Sequence, residues 1–142
     1  MKKIVLTAIV IALAIATTSC NKPNEVLVTK MECTHEEDYM DTVHMKGIGY
    51  LFVNSIPTEL QKDNNVMYIT YNKENNSTTF SAIYPNEAFY NGNICNFPDF
   101  AKEWKIPTKG KQIYYKGELH VTGTYAIWPP HIGGDLILTT LK

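Results

Sequence analysis

The chain has 142 residues with 13 Lys, no Arg, 14 acidic residues and a formal charge of −1, so its net charge calls for neither a strongly acidic nor a strongly basic partner. Arg is the side chain best shaped for forked recognition of phosphate and guanine, and its absence argues against a nucleic-acid or nucleotide module. The length suits one domain with a sizeable core, and nine Tyr, beside scarce Ala and Leu after the first twenty positions, favour strands over helices.

At the N-terminus, Lys2 and Lys3 precede an apolar run over residues 4–16 broken only by Thr7, and Thr17, Thr18 and Ser19 lead into Cys20. Charge, apolar run and small residues in that order read as an export signal, and the run is shorter than the roughly 20 residues a spanning helix needs. Thr17-Thr18-Ser19-Cys20 resembles a lipobox, in the looser form of Bacteroidetes lipoproteins in which Thr17 stands where Leu is usual. That resemblance implies cleavage before Cys20 and acylation there, palmitate included; two or three chains hold a protein stably where one gives only marginal membrane binding. The expected organisation is a lipoprotein signal peptide over 1–19, a lipidated tether over 20–25 and a single β-barrel domain over 26–142. The expected location is the cell envelope, with the protein lipid-anchored in the outer membrane. After cleavage, 11 Lys stand against 14 acids, a formal charge of −3.

Residues 26–33 alternate apolar and polar and read as a half-buried strand. Residues 34–46 are polar and acidic and read as a loop or an irregular strand continuation, carrying His35, Glu36, Glu37, Asp38, Asp41 and His44. Residues 47–54 are almost wholly apolar, as in a strand buried on both faces or curled at a barrel corner. A loop over 55–65 contains Pro57 and Asp63-Asn64-Asn65. Two β-branched and aromatic runs, 66–71 and 78–84, flank Asn72-Lys73-Glu74-Asn75-Asn76 and predict a hairpin. Residues 85–93 read as loop. A short helix follows, with Asn96 as candidate cap, Pro98 and Asp99 in its first turn, Phe100 and Trp104 on one face, and Pro107 as its stop. Residues 112–121 then alternate cleanly, Ile113, Tyr115, Leu119 and Val121 to one side and Gln112, Tyr114, Lys116, Glu118 and His120 to the other, which puts His120 on the solvent face. A loop over 128–134 and a last strand over 135–141 close the chain.

Several strands, one short helix and two more strands suggest a mainly β fold, a small antiparallel OB-like β-barrel whose helix plugs one end, with a β-sandwich as the alternative. One strand more than such a barrel needs precedes the helix; an added edge strand, or a segment wrongly read as strand, would account for it. Ile94-Cys95-Asn96-Phe97-Pro98-Asp99-Phe100-Ala101-Lys102-Glu103-Trp104-Lys105-Ile106-Pro107, with Gly110 and Lys116-Gly117, resembles a segment of small Bacteroidetes envelope lipoproteins, NigD-like ones among them. The resemblance implies envelope location and a β-barrel, and no catalytic residues. Within the segment, Phe97, Phe100 and Trp104 read as helix-face core. The same resemblance marks Asp41-Thr42-Val43 as a phylum-type O-glycosylation acceptor at Thr42.

Cys33 and Cys95 form an even pair, most simply a disulfide in an oxidising envelope, contributing about 4 kcal/mol. Buried free thiols, or a thiol nucleophile with His35 or His120 as base, are the alternatives. The weak metal candidates are His35, Glu37 and His44, at no recognisable ligand spacing, so no cofactor is expected. Tyr114, His120, Trp128 and His131 are the candidate ligand-binding residues, as an exposed stacking platform. There is no G-x-S-x-G, no H-E-x-x-H and no phosphate loop. The expected function is a membrane-anchored, non-catalytic binding module for a protein, peptide or glycan, with no nucleic-acid partner. The alternatives are a protease-inhibitor or assembly accessory protein, which would project a loop near residues 128–134, and a small thiol-dependent enzyme.

Overall fold

The computed structural model describes Cys33 and residues 39–60, 65–84, 87–125 and 127–142. The signal segment, Cys20, the tether, the strand expected over 26–33 apart from Cys33, and His35 and Glu37 lie outside the described residues. Six strands form the wall: β1 (Asp41–Val53), β2 (Met67–Asn72), β3 (Ser77–Tyr84), β4 (Ala88–Ile94), β5 (Lys111–Tyr125) and β6 (His131–Leu141). A 3-10 turn (Thr58–Leu60) lies between β1 and β2, and a four-residue helix α1 (Asp99–Lys102) between β4 and β5.

The strands close in the order β1-β2-β3-β4-β6-β5, which sets the β-sandwich aside and leaves a small OB-like barrel. Four junctions are antiparallel; β1–β2 and β4–β6 are parallel. Among the described residues the strand in excess of the OB pattern is a stave of the wall, β2, lying beside β1 rather than added at an edge. Following partners round the wall from Asp41 through Val121, Gly134, Gly92, Phe80 and Ile69 returns to β1 at Leu51, ten residues along. So large a stagger tilts the strands steeply, and a six-stranded wall of this kind is filled by its own side chains. Leu51, Met67, Ile69, Phe80, Tyr115, Leu119, Leu136 and Leu138 fill it.

Two segments read as loop are strand, and the segment read as loop or strand continuation is strand from Asp41 onward. Residues 41–46 belong to β1, where His44 and Lys46 face solvent while Met45 enters the core. Residues 88–93 belong to β4: its Asn and Gly content suggests a turn, but Asn91 and Asn93 face outward. Gly92 is required because a Cβ there would run into the Gly134 carbonyl of β6, and its φ of 152° favours glycine. Residues 131–134 begin β6. Over 47–54 the burial on both faces is only partial, since Ile48 is half exposed. The 72–76 hairpin and the alternation of β5 appear as the sequence predicts, with Ile113, Tyr115, Leu119 and Val121 inward.

The helix is shorter than the sequence suggests and differently capped. Pro98 holds the cap position with no side-chain bond. Asn96, buried, instead bonds β6: its Nδ2 donates to Leu138 O at 2.7 Å, and Leu138 N donates to its Oδ1 at 2.8 Å. The amide thereby continues the β4–β6 ladder past the end of β4. Ala101 is buried in the core with Phe97 and Trp104 packed against it, whereas Phe100, expected in the core, is exposed. One turn of helix offers one inward position, and Ala101 takes it.

Candidate functional site

Strand β1 is paired unevenly. Its second half, Gly49–Val53, lies between β5 and β2, while residues 41–48 pair with β5 alone among the described residues. Because β2 begins only at Met67, opposite Gly49, the wall opens below it between the first half of β1 and the β3–β4 end. The direction of the free groups follows from β5. Tyr114 exchanges both backbone hydrogen bonds with Lys142, so its N–H and C=O point away from β1 and Ile48–Tyr114 is a non-hydrogen-bonded pair. Alternation then turns the N–H and C=O of Lys46, His44 and Thr42 toward the open edge. Consistently, Thr42 N–H is taken by the Asp41 carboxylate at 2.8 Å. His44 and Lys46 are left presenting donor and acceptor to the opening.

On the inner side of this edge lies a cleft of about 230 Å³, lined by Val43, Met45, Tyr84, Glu87 and Tyr90 together with His44 and Lys46. Tyr84 and Tyr90 point inward because they continue the Phe80–Ala82 and Ile94–Gly92 alternations of their strands. Their rings meet edge-on at 5.8 Å, and the Tyr84 and Tyr115 hydroxyls lie 3.3 Å apart. Burial first, then the bond and the charge of Tyr84, push the Tyr115 phenol far up from its ordinary value. Burial, Glu87 and Tyr84, in that order, push Tyr90 up as well. These phenols therefore stay protonated at neutral pH and serve as hydrogen-bonding groups rather than bases.

On the outer face, running from β1 across β5 to β6, a depression of about 300 Å³ is lined by His44, Lys46, Lys116, Glu118 and Thr139. Lys46 and Lys116 are direct cross-strand partners, both exposed, a like-charge pairing that costs stability unless an anion joins it. Next along the ladder His44 Nδ1 lies 3.6 Å from Glu118 Oε1, and His120 Nε2 lies 3.7 Å from Glu118 Oε2.

The sequence-stated candidates fall in separate places. Tyr114 lies near the start of β5 and Trp128 beyond its other end, with at least 11 residues or roughly 35 Å of strand between them, so the two are not brought together as one stacking platform. His131 packs on Phe89 at 4.9 Å, and Tyr114 carries the Lys142 ammonium 5.5 Å from its ring centre. His120 does project from the outer face, but Tyr39 covers it edge-on at 4.6 Å and its buried Nδ1 has no hydrogen-bond partner among the described residues. Thr42 is exposed, as expected, and lies in a strand. Cys33 and Cys95 are bonded to each other, which removes both as thiol nucleophiles. Their sulfurs approach the buried Asp135, but disulfide sulfurs are not thiolate ligands. Sequence reasoning missed Tyr84, Glu87 and Tyr90: residues 85–93 read as loop, which gave Glu87 and Tyr90 no direction, and the strand ending at Tyr84 was not resolved into faces. The available signal was the inward alternation of β3, which ends on Tyr84.

Comparison with family models, with curated proteins and with solved structures finds no match to this chain.

Proposed function

We propose that this protein is a lipid-tethered envelope module that captures an extended peptide segment by adding it as a strand to β1, and does no chemistry of its own. The observation that carries the reading is the open edge at His44 and Lys46, flanked inside by the tyrosine cleft and outside by the Lys46–Lys116 pair. In strand addition the main chain supplies affinity and alternate side chains supply specificity. Successive residues of the guest point to opposite faces. One set enters the cleft of Val43, Met45, Tyr84 and Tyr90, and the other lies beside His44 and Lys46, with the Lys116 ammonium one strand further on adding positive charge. The favoured guest therefore alternates apolar or aromatic residues with acidic ones. The tether reading rests on the Lys2-Lys3 leader and the Thr17–Cys20 lipobox.

The test is an array of arrayed octapeptides of alternating apolar and acidic residues, probed with the chain from Asn21 onward, with scrambled and acid-to-Lys versions as controls. Lys46→Pro removes one edge N–H at a position that, among the described residues, pairs with β5 alone and turns its N–H away from β5, where proline is tolerated. Binding is expected to fall at least tenfold in Lys46→Pro and much less in Lys46→Ala, since each edge hydrogen bond, once lost, strands a donor or acceptor on the guest. Equal binding by the wild-type and Lys46→Pro chains, or no preference over scrambled peptides, would remove the reading.

A further inference from the structure

The β5–β6 hairpin ends in an apolar tip that the barrel does not use. Trp128 is 81% exposed, Tyr125 71% and Ile127 59%, far more than a side chain packed on a wall. We propose that this tip is a membrane-interface wedge, which lowers Trp128, Ile127 and Tyr125 into the headgroup and upper acyl region of a lipid bilayer.

Three features favour lipid as the occupant. First, residues 119–134 contain no Lys, Arg, Asp or Glu, sixteen consecutive positions around the hairpin with no formal charge to desolvate. Second, the backbone at the tip offers few unmet donors: Pro129 and Pro130 have no N–H, and the Pro130 carbonyl already accepts from Phe89 N at 2.9 Å. Unpaired backbone groups are the main obstacle to placing a loop in an apolar medium, so such a tip is unusually cheap to immerse. Third, Trp and Tyr join an apolar body to a polar end and concentrate at the water–lipid boundary. The wedge stands on this chemistry alone and is independent of peptide capture at β1. The tether reading adds reach: Cys33 is bonded to Cys95 beside Asp135, four residues up β6 from His131 at the tip. Thirteen residues from Cys20 to Cys33 span at most about 45 Å, so an anchored Cys20 keeps the tip near the bilayer.

The wedge is tested with the chain from Asn21 onward, which retains all six strands and the disulfide, carrying Trp104→Phe so that Trp128 is the single Trp. The probe is vesicles of zwitterionic phosphatidylcholine. Expected are co-sedimentation that rises with lipid, a blue shift of Trp128 emission, and a loss of about tenfold or more in partitioning for Trp128→Ala, read by sedimentation, from the apolar area withdrawn. Adding anionic phosphatidylglycerol, or raising salt, is expected to change partitioning by less than about twofold, because the tip carries no charge to screen. Trp128 is exposed, so its substitution leaves the core intact; unchanged thermal melts confirm this, and Ile127→Ser provides a second variant. The proposal is overturned if the protein does not partition at millimolar lipid. It is equally overturned if binding needs anionic lipid and disappears in salt, if Trp128 emission stays at its solvent value while protein sediments, or if the tip captures a protein partner and ignores vesicles.

Discussion

Removing the Asn96 side chain should destabilise the barrel more than any other single change to a neutral polar group in its wall. Asn96 satisfies both backbone groups that Leu138 directs away from β5, and Leu138 is fully buried. In Asn96→Ala these two groups lose their partners in a site with little room for water. A buried donor or acceptor left unmet costs about 1–3 kcal/mol, so two cost roughly 2–6, and about 3 kcal/mol is the central expectation. That is a large share of the ~5–15 kcal/mol by which a domain is typically stable, and corresponds to a Tm lower by roughly 10 °C. Asn96→Asp should do no better: it keeps an acceptor for Leu138 N but turns an oxygen on the Leu138 carbonyl. Urea unfolding followed by far-UV circular dichroism reads the effect as a shifted midpoint at unchanged slope. Asn93→Ala, an exposed position on β4, is the control and should stay within about 0.5 kcal/mol. If Asn96→Ala unfolds within about 1 kcal/mol of wild type, the amide is not a rung of the β4–β6 ladder and the reasoning is wrong.

Reduction of the Cys33–Cys95 disulfide, which spans 62 residues, should lower stability by up to about 4 kcal/mol. The far-UV strand signal should persist, since every wall strand lies at or after Asp41; an unchanged thermal midpoint in reductant would contradict this. Stability should also fall at alkaline pH. Tyr115 and Tyr90 hold their protons more tightly folded than unfolded, so their contribution is intact below the ordinary phenol value near 10 and is lost as pH rises beyond it. Each phenol that ionises only on unfolding adds a slope of about 1.4 kcal/mol per pH unit. Comparing Tyr115→Phe with wild type between pH 9 and 11 isolates one of them, and identical slopes would count against the buried phenol.

Local pattern carried far where one face is buried and the other wet. The β5 alternation named its inward residues correctly because strand periodicity is exactly two and its outward set is polar. The 72–76 turn was legible from its Asn-rich composition. Pattern failed where composition mimicked a loop. Asn91-Gly92-Asn93 looks like a turn, but Gly92 is there to let β4 approach Gly134. The polar run at 41–46 conceals a strand, because one barrel face of β1 is solvent. Asn96 looked like a helix cap, since Asn prefers caps and its true partner is 42 positions away.

The amino-acid sequence by itself determined the mainly β class, the short helix after β4, the inward face of β5 and the pairing hairpin, because each depends on neighbours within a few residues along the chain. Only the tertiary structure decided that β2 is inserted beside β1, that the wall is staggered by ten residues, and that this stagger leaves residues 41–48, among the described residues, with an unpaired edge over a tyrosine cleft. Those features depend on which strands meet and in what register, and that is set by long-range closure and glycine contacts between distant segments, for which no local periodicity is a record.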